Sequence, residues 1–338
     1  MNEVDCIRDF LARSTGPSTE SREAARARLQ ALISGRPDIR RRVTRRPRWK
    51  LLVPALPLAA VLALVAGLIA NPLLEGGRPA TAAAAALLTA SHIASLQPVH
   101  ALQPGEYAYT RSEGAYFDEI SRTRGTWGAL VRTKREIWIG SNGSGRIRQQ
   151  SEPPVFLAPG DRARWKEAGA PPLAWLSSGE TYDKKFGPGG LGPPLELDGF
   201  KPNELLRLAN NPDALRAAIQ AAAEKTDNPL SYEMLTIVGD LLGETAAPPQ
   251  LRASLYQVAA DIPGVELLGT VADRAGRQGI AVAASRDSTR CELIFDPKTS
   301  TLFAKEETLT RQIPDTTAPV GTAISYTLYL DSKIVPAR

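Results

Sequence analysis

VELLGTVA–DRAG–RQGIAVAAS–RDS–TRCELIFD–PKTS–TLFAKEETL, residues 265–309, is the stretch that decides the fold. Four runs of eight or nine residues alternate with short segments rich in Asp, Gly, Ser, Lys and Pro. Runs rich in β-branched and aliphatic residues, punctuated by turn formers, define an antiparallel meander. Period-2 alternation puts Cys291 on one face with Leu293 and Phe295, so its thiol reads as a small buried hydrophobe. A fifth strand, AISYTLYLDS (323–332), follows the loop IPDTTAPVG (313–321).

Upstream of the meander the period changes to that of helices. KPNELLRLA (201–209) is short, and Asn211-Pro212-Asp213 opens the next segment with a cap, a first-position proline and an acid at the positive end. SYEMLTIVGDLLGE (231–244) lines up Tyr232, Leu235, Val238 and Leu242, and QLRASLYQVAAD (250–261) lines up Leu251, Leu255 and Val258. TAAAAALLTASHIAS (81–95) has high helix propensity, with Leu87, Leu88 and Ile93 as its apolar handle. Between these helical blocks, EYAYTRSEG (106–114) alternates with Tyr107 and Tyr109 on one face, which reads as a core-facing stripe in preference to a ligand-lining one. KREIWIG–SNGSG–RIRQQ (134–150) has the form of a hairpin whose Asn142-Gly143 pair supplies positive φ. Residues 151–200, rich in Pro and Gly, read as a long surface loop. Strands and helices in separate blocks make the region from residue 81 to 338 an α+β domain with a curved antiparallel sheet and a helical segment.

Further upstream stands LLVPALPLAAVLALVAGLIA (51–70), twenty residues without a charge, enough for a helix of roughly 30 Å. It is preceded by Arg40, Arg41, Arg42, Arg45, Arg46, Arg48 and Lys50. Such a flank stays on the cytoplasmic side, which makes these seven residues the topology determinants of a single-pass membrane protein with an extracytoplasmic C-terminal domain. Residues 1–50 carry thirteen Lys and Arg against six Asp and Glu, whereas the remainder is slightly acidic. The basic excess therefore belongs to the membrane flank, and no direct nucleic-acid partner is expected. The division reads 1–50 cytoplasmic, 51–70 transmembrane, 71–80 linker and 81–338 extracytoplasmic. Within the first segment, Val4, Ile7, Phe10 and Leu11 form a helical stripe suited to a cytoplasmic partner.

Motifs of catalysis are missing. The chain has no P-loop, H-E-x-x-H, C-x-x-C or G-x-S-x-G. Cys6 and Cys291 fall on opposite sides of the span, and the two histidines, His92 and His100, lack a placed nucleophile. Gly187, Gly189 and Gly192 match G-x-G-x-x-G by spacing, yet without the strand and helix that give this motif its phosphate site. The expectation is a non-enzyme with no catalytic residue, metal or cofactor.

QPGEYAYTR, REIWIGSNGSGRIR, LRLANNPDALRAAI and the block from VGDLLGETAAPPQ through the meander carry a resemblance. The chain resembles single-pass membrane proteins of high-GC Gram-positive bacteria, typically encoded beside extracytoplasmic-function sigma factors. That resemblance implies a regulatory or sensory role, with residues 1–50 as a zinc-free partner of a sigma factor. The meander also looks like the curved sheets of lipoprotein carriers. This gives the alternative of a membrane-tethered module holding a lipid or other apolar ligand in the outer domain.

Overall fold

A computed structural model describes residues 81–122, 125–171, 173, 179–188, 200, 202–244, 247–313 and 316–336. The expectations for residues 1–80, among them the span, the basic flank and the stripe Val4, Ile7, Phe10 and Leu11, lie outside the described residues. Among the described residues no helix is long and apolar enough to cross a membrane.

The elements run α1 (Ala82–Ser95), β1 (Glu106–Arg122), β2 (Gly125–Gly140), β3 (Gly145–Phe156), α2 (Asp161–Glu167), β4 (Thr181–Phe186), α3 (Pro202–Leu208), α4 (Pro212–Ala223), α5 (Leu230–Glu244), α6 (Pro249–Ala260), β5 (Glu266–Ala272), β6 (Gln278–Arg286), β7 (Thr289–Phe295), β8 (Leu302–Leu309) and β9 (Ala323–Pro336). All nine strands join one open, curved antiparallel sheet in the order β4-β3-β2-β1-β9-β8-β7-β6-β5. The class is α+β. The meander is present with boundaries within a residue or so of those read from the sequence.

One face of the sheet carries the helical layer. Ile280, Val282 and Ala284 of β6, Leu293 and Phe295 of β7, and Leu302 of β8 pack into the main core with α1, α3, α4, α5 and α6. Cys291 sits on that face, where burial pushes its thiol pKa up to about 11. On the opposite face Ala281, Ile294, Ala304 and Leu328 stand side by side across four strands, so β6 is buried on both sides. Each fully buried Leu or Ile in these layers contributes roughly 1.5–3 kcal/mol.

Helix α5 lies directly on β6, β7 and β8. Gly239 and Gly243 flatten its underside. A Cβ at Gly239 would stand 2.5 Å from Leu293 Cδ2, and one at Gly243 would stand 1.9 Å from Tyr329 Cζ. Beside Gly243, Glu244 is largely covered, and its buried Oε2 lies 2.8 Å from Arg135 Nη1 of β2. Neither atom completes a well-aligned hydrogen bond there, so the attraction is chiefly Coulombic. Burial holds the Glu244 carboxyl above the usual carboxylate range despite Arg135.

β9 is shared. Residues 325–328 pair with β1 and β8 together, and from Tyr329 onward the strand pairs with β1 alone. Arg277 occupies the fork. Its Nη1 donates to Tyr329 O at 2.7 Å and its Nη2 to Phe303 O at 2.8 Å, while its Nε donates to Asp273. A lysine ammonium carries its three donors on one nitrogen and cannot span acceptors that Arg277 reaches with three separate nitrogens. Arg277→Lys is expected to cost about 1–2 kcal/mol, read as a lower urea midpoint with unchanged m-value.

Several expectations need correction. Residues 151–200 are not a featureless loop, since β3 continues to Phe156 and α2 and β4 follow. Pro153 and Pro154 sit at a register shift opposite Leu130 and Arg132, past the last β4 partner at Gln150, so their missing N–H groups break no ladder. The 106–114 strand runs on to Arg122 and pairs along its whole length with β2. In the hairpin only Gly143 takes positive φ, because Ser144 N–H donates to Asn142 Oδ1 across a four-residue connection. The buried side of α1 is Ala83, Leu87, Ala90 and Ala94, with Leu88 and Ile93 only half-buried.

Candidate ligand-binding groove

Where β9 leaves β8, the helix-covered face of the sheet opens into a groove of about 820 Å³. Its floor is Ala108, Ile139 and Ile334, which the ladder registers place on one face of β1, β2 and β9. One wall is α3, with Leu205 and Leu206, and another is the start of α6, from Pro248 to Arg252. The segment 97–102, leading out of α1, lines the remaining side. Ser91 of α1 donates to Ala253 O at 2.8 Å, which holds α1 against α6. Leu96, Val99, Leu206 and Ile334 are exposed on and around these walls, with Leu96 at 69% and Val99 at 58% of full exposure. Single exposed apolar side chains are ordinary, but a cluster around one concavity marks a binding surface.

Among the described residues the lining contains no carboxylate. His100 sits at the rim and is engaged by Glu106 Oε2 at 2.8 Å. Lys333, also on the lining, pairs with Asp331 at 2.6 Å. Arg252 differs from both. Its Nε is buried, and among the described residues nothing accepts a hydrogen bond from it. Burial pulls its pKa below the usual guanidinium range.

A second concavity of about 480 Å³ lies on the other face of the sheet. Tyr109 and Trp138 meet there with ring centroids 5.1 Å apart, and Arg146 lies over Trp138 at 5.3 Å. Tyr107 and Tyr109 do share a face, but it is this helix-free one and not the core face that was expected. The charges here answer each other. Arg146 Nε donates to Asp183 at 2.7 Å, and the Tyr109 hydroxyl donates to Glu136 at 2.8 Å. Burial and then Glu136 push that hydroxyl pKa up to about 12. With its groups so satisfied, this cradle is the weaker candidate.

Among the described residues no cluster of three or more His, Cys, Asp and Glu could hold a metal ion. His92 is exposed on α1, remote in role from His100 at the groove rim. Gly187 directly follows β4, and Gly189 and Gly192 lie outside the described residues. The groove itself was not read from the sequence. Its residues come from six separated segments, none of which carries a motif.

No protein-family model matches the chain, and no curated protein matches it. A solved structure of MucB in complex with MucA(peri) is similar at 12% identity and a TM-score of 0.27, over 75% of this chain and 57% of that one. The chain thus spans less than two thirds of that relative's length. A likeness at that level carries no weight for function.

Proposed function

We propose that this chain is a membrane-anchored, non-enzymatic sensory protein whose outer domain takes an apolar ligand in the groove. The observation that carries the reading is the open, mostly apolar concavity between the α3 and α6 walls and the floor of β1, β2 and β9, lined by no carboxylate among the described residues. Its volume falls within the roughly 300–1,000 Å³ usual for small-ligand sites. The span at 51–70 holds the domain at the outer face of the cell membrane, and residues 1–50 report occupancy to a cytoplasmic partner through Val4, Ile7, Phe10 and Leu11. A sigma factor is the partner that the family resemblance supports, bound without zinc because Cys6 is the single Cys or His before the span. A tethered carrier would use the same groove and have no need of the N-terminal stripe.

The test uses the full chain purified in non-ionic detergent. Native mass spectrometry is expected to find a co-purifying lipid-sized mass that disappears in the Leu206→Asp, Ile334→Asp double variant. An empty wild-type groove under mild extraction would overturn the ligand reading. Separately, crosslinking in cells from Phe10 is expected to capture a sigma factor. Failure of that capture with an intact ligand would leave the carrier as the better account.

A further inference from the structure

Arg252 is a half-buried cation on the groove wall. Of the ionisable side chains on the groove lining, His100 and Lys333 have carboxylate partners, and Arg252 has none among the described residues. Its Nε is buried with no acceptor among the described residues, and a desolvated donor on a charged group is costly until something accepts from it. It stands on the first turn of α6 beside Leu251, on a lining that is mostly apolar.

We propose that the groove selects an anionic amphiphile, an acyl chain bearing a single carboxylate or phosphate head, and that Arg252 is the residue that reads the head. The inference rests on the groove reading above and adds the ligand's chemistry to it. The chain lies along Ala108, Ile139 and Ile334, and the head accepts charge-assisted hydrogen bonds from the guanidinium. Such bonds, formed where water is largely excluded, discriminate strongly against a neutral head of the same size.

The test measures displacement of a fluorescent fatty acid from the full chain in non-ionic detergent. Competitors are oleate, oleyl alcohol, dioleoylphosphatidylglycerol and dioleoylglycerol. Oleate is expected to compete about ten- to a hundredfold better than oleyl alcohol. Arg252→Gln is expected to erase that preference while leaving oleyl alcohol unchanged, and Arg252→Lys to restore part of it. If the diacyl anion competes and oleate does not, the head belongs to a membrane phospholipid; the reverse assigns it to a free fatty acid. Equal competition by charged and neutral forms, or an Arg252→Gln variant with wild-type preference, would overturn the head-group assignment and leave the groove standing. Displacement by no amphiphile at all would overturn both. An independent readout is thermal. Arg252→Leu is expected to raise the melting temperature of the unliganded protein, because it removes a half-buried charge whose Nε has no acceptor among the described residues; a lowered one would make Arg252 a structural residue.

Discussion

Arg135→Met is expected to lower stability by about 3–5 kcal/mol at neutral pH, more than any surface ion-pair change in the molecule. Arg135 is the β2 residue that faces Glu244 of α5, and its removal leaves a carboxylate buried beside Asp240 and the Tyr329 ring. Lys305 remains nearby but is already engaged with Asp240. The loss should depend on pH with a definite sign. Burial raises the folded-state pKa of Glu244 above 4.5, and losing Arg135 raises it further. The folded state then holds this proton more tightly than the unfolded state. Stability from the group is fully present below the unfolded value and is lost as pH rises through the folded one. Urea midpoints between about pH 5 and pH 8 should therefore separate variant from wild type increasingly as pH rises. Adding Glu244→Leu to Arg135→Met should recover most of the loss, since a paired ion replaced by two apolar groups is often close to neutral. A loss of equal size at every pH would show that Arg135 acts through packing of its stem.

Gly243→Ala is the second large effect, expected at about 3 kcal/mol of destabilisation. Alanine in a helix interior is ordinarily favoured over glycine by about 1 kcal/mol, so the direction alone is informative. The reversal follows from the 1.9 Å approach to Tyr329, whose ring is buried and walled in by α5 and β9. At Gly239 the nearest atom is the end of a leucine side chain, which can rotate away, so Gly239→Ala should cost less. Tyr329→Leu should relieve Gly243→Ala while destabilising the wild-type background. A double-mutant cycle by chemical denaturation would check it, and additive losses would rule out the contact as the cause.

The residues that were legible are those whose neighbours in sequence are also their neighbours in space. The meander depends on local alternation and turn chemistry, and α4, α5 and α6 depend on local periodicity with Pro and Asn at their starts. The long arms of β1 and β2 were missed past Gly114 because charged residues such as Asp118 and Glu119 interrupt the alternation. Pairing along the full ladder holds them in the sheet regardless. Pro153 and Pro154 hid the end of β3 for the opposite reason, since prolines are tolerated at an unpaired edge. The groove was illegible on principle. Arg252 in sequence is one more polar residue on an amphipathic helix, and only packing shows that its buried Nε meets no acceptor among the described residues. For Tyr107 and Tyr109 alternation correctly placed both on one face, but it carries no label saying which face the helices cover.

The strand shared by both halves has a consequence for the order in which the molecule can assemble. Synthesis delivers β1 to β4 first and β5 to β8 much later, and each group forms a hairpin-linked sheet from contacts close in sequence. Until residues 325–328 arrive, β1 and β8 are two bare edges more than 150 positions apart along the chain. Bare edges invite wrong partners, and closing so long a separation is slow. Loss of the final strand would therefore leave two sticky half-sheets instead of one slightly shortened sheet. The last strand made, and not the helical layer, sets the moment at which the domain becomes a single body.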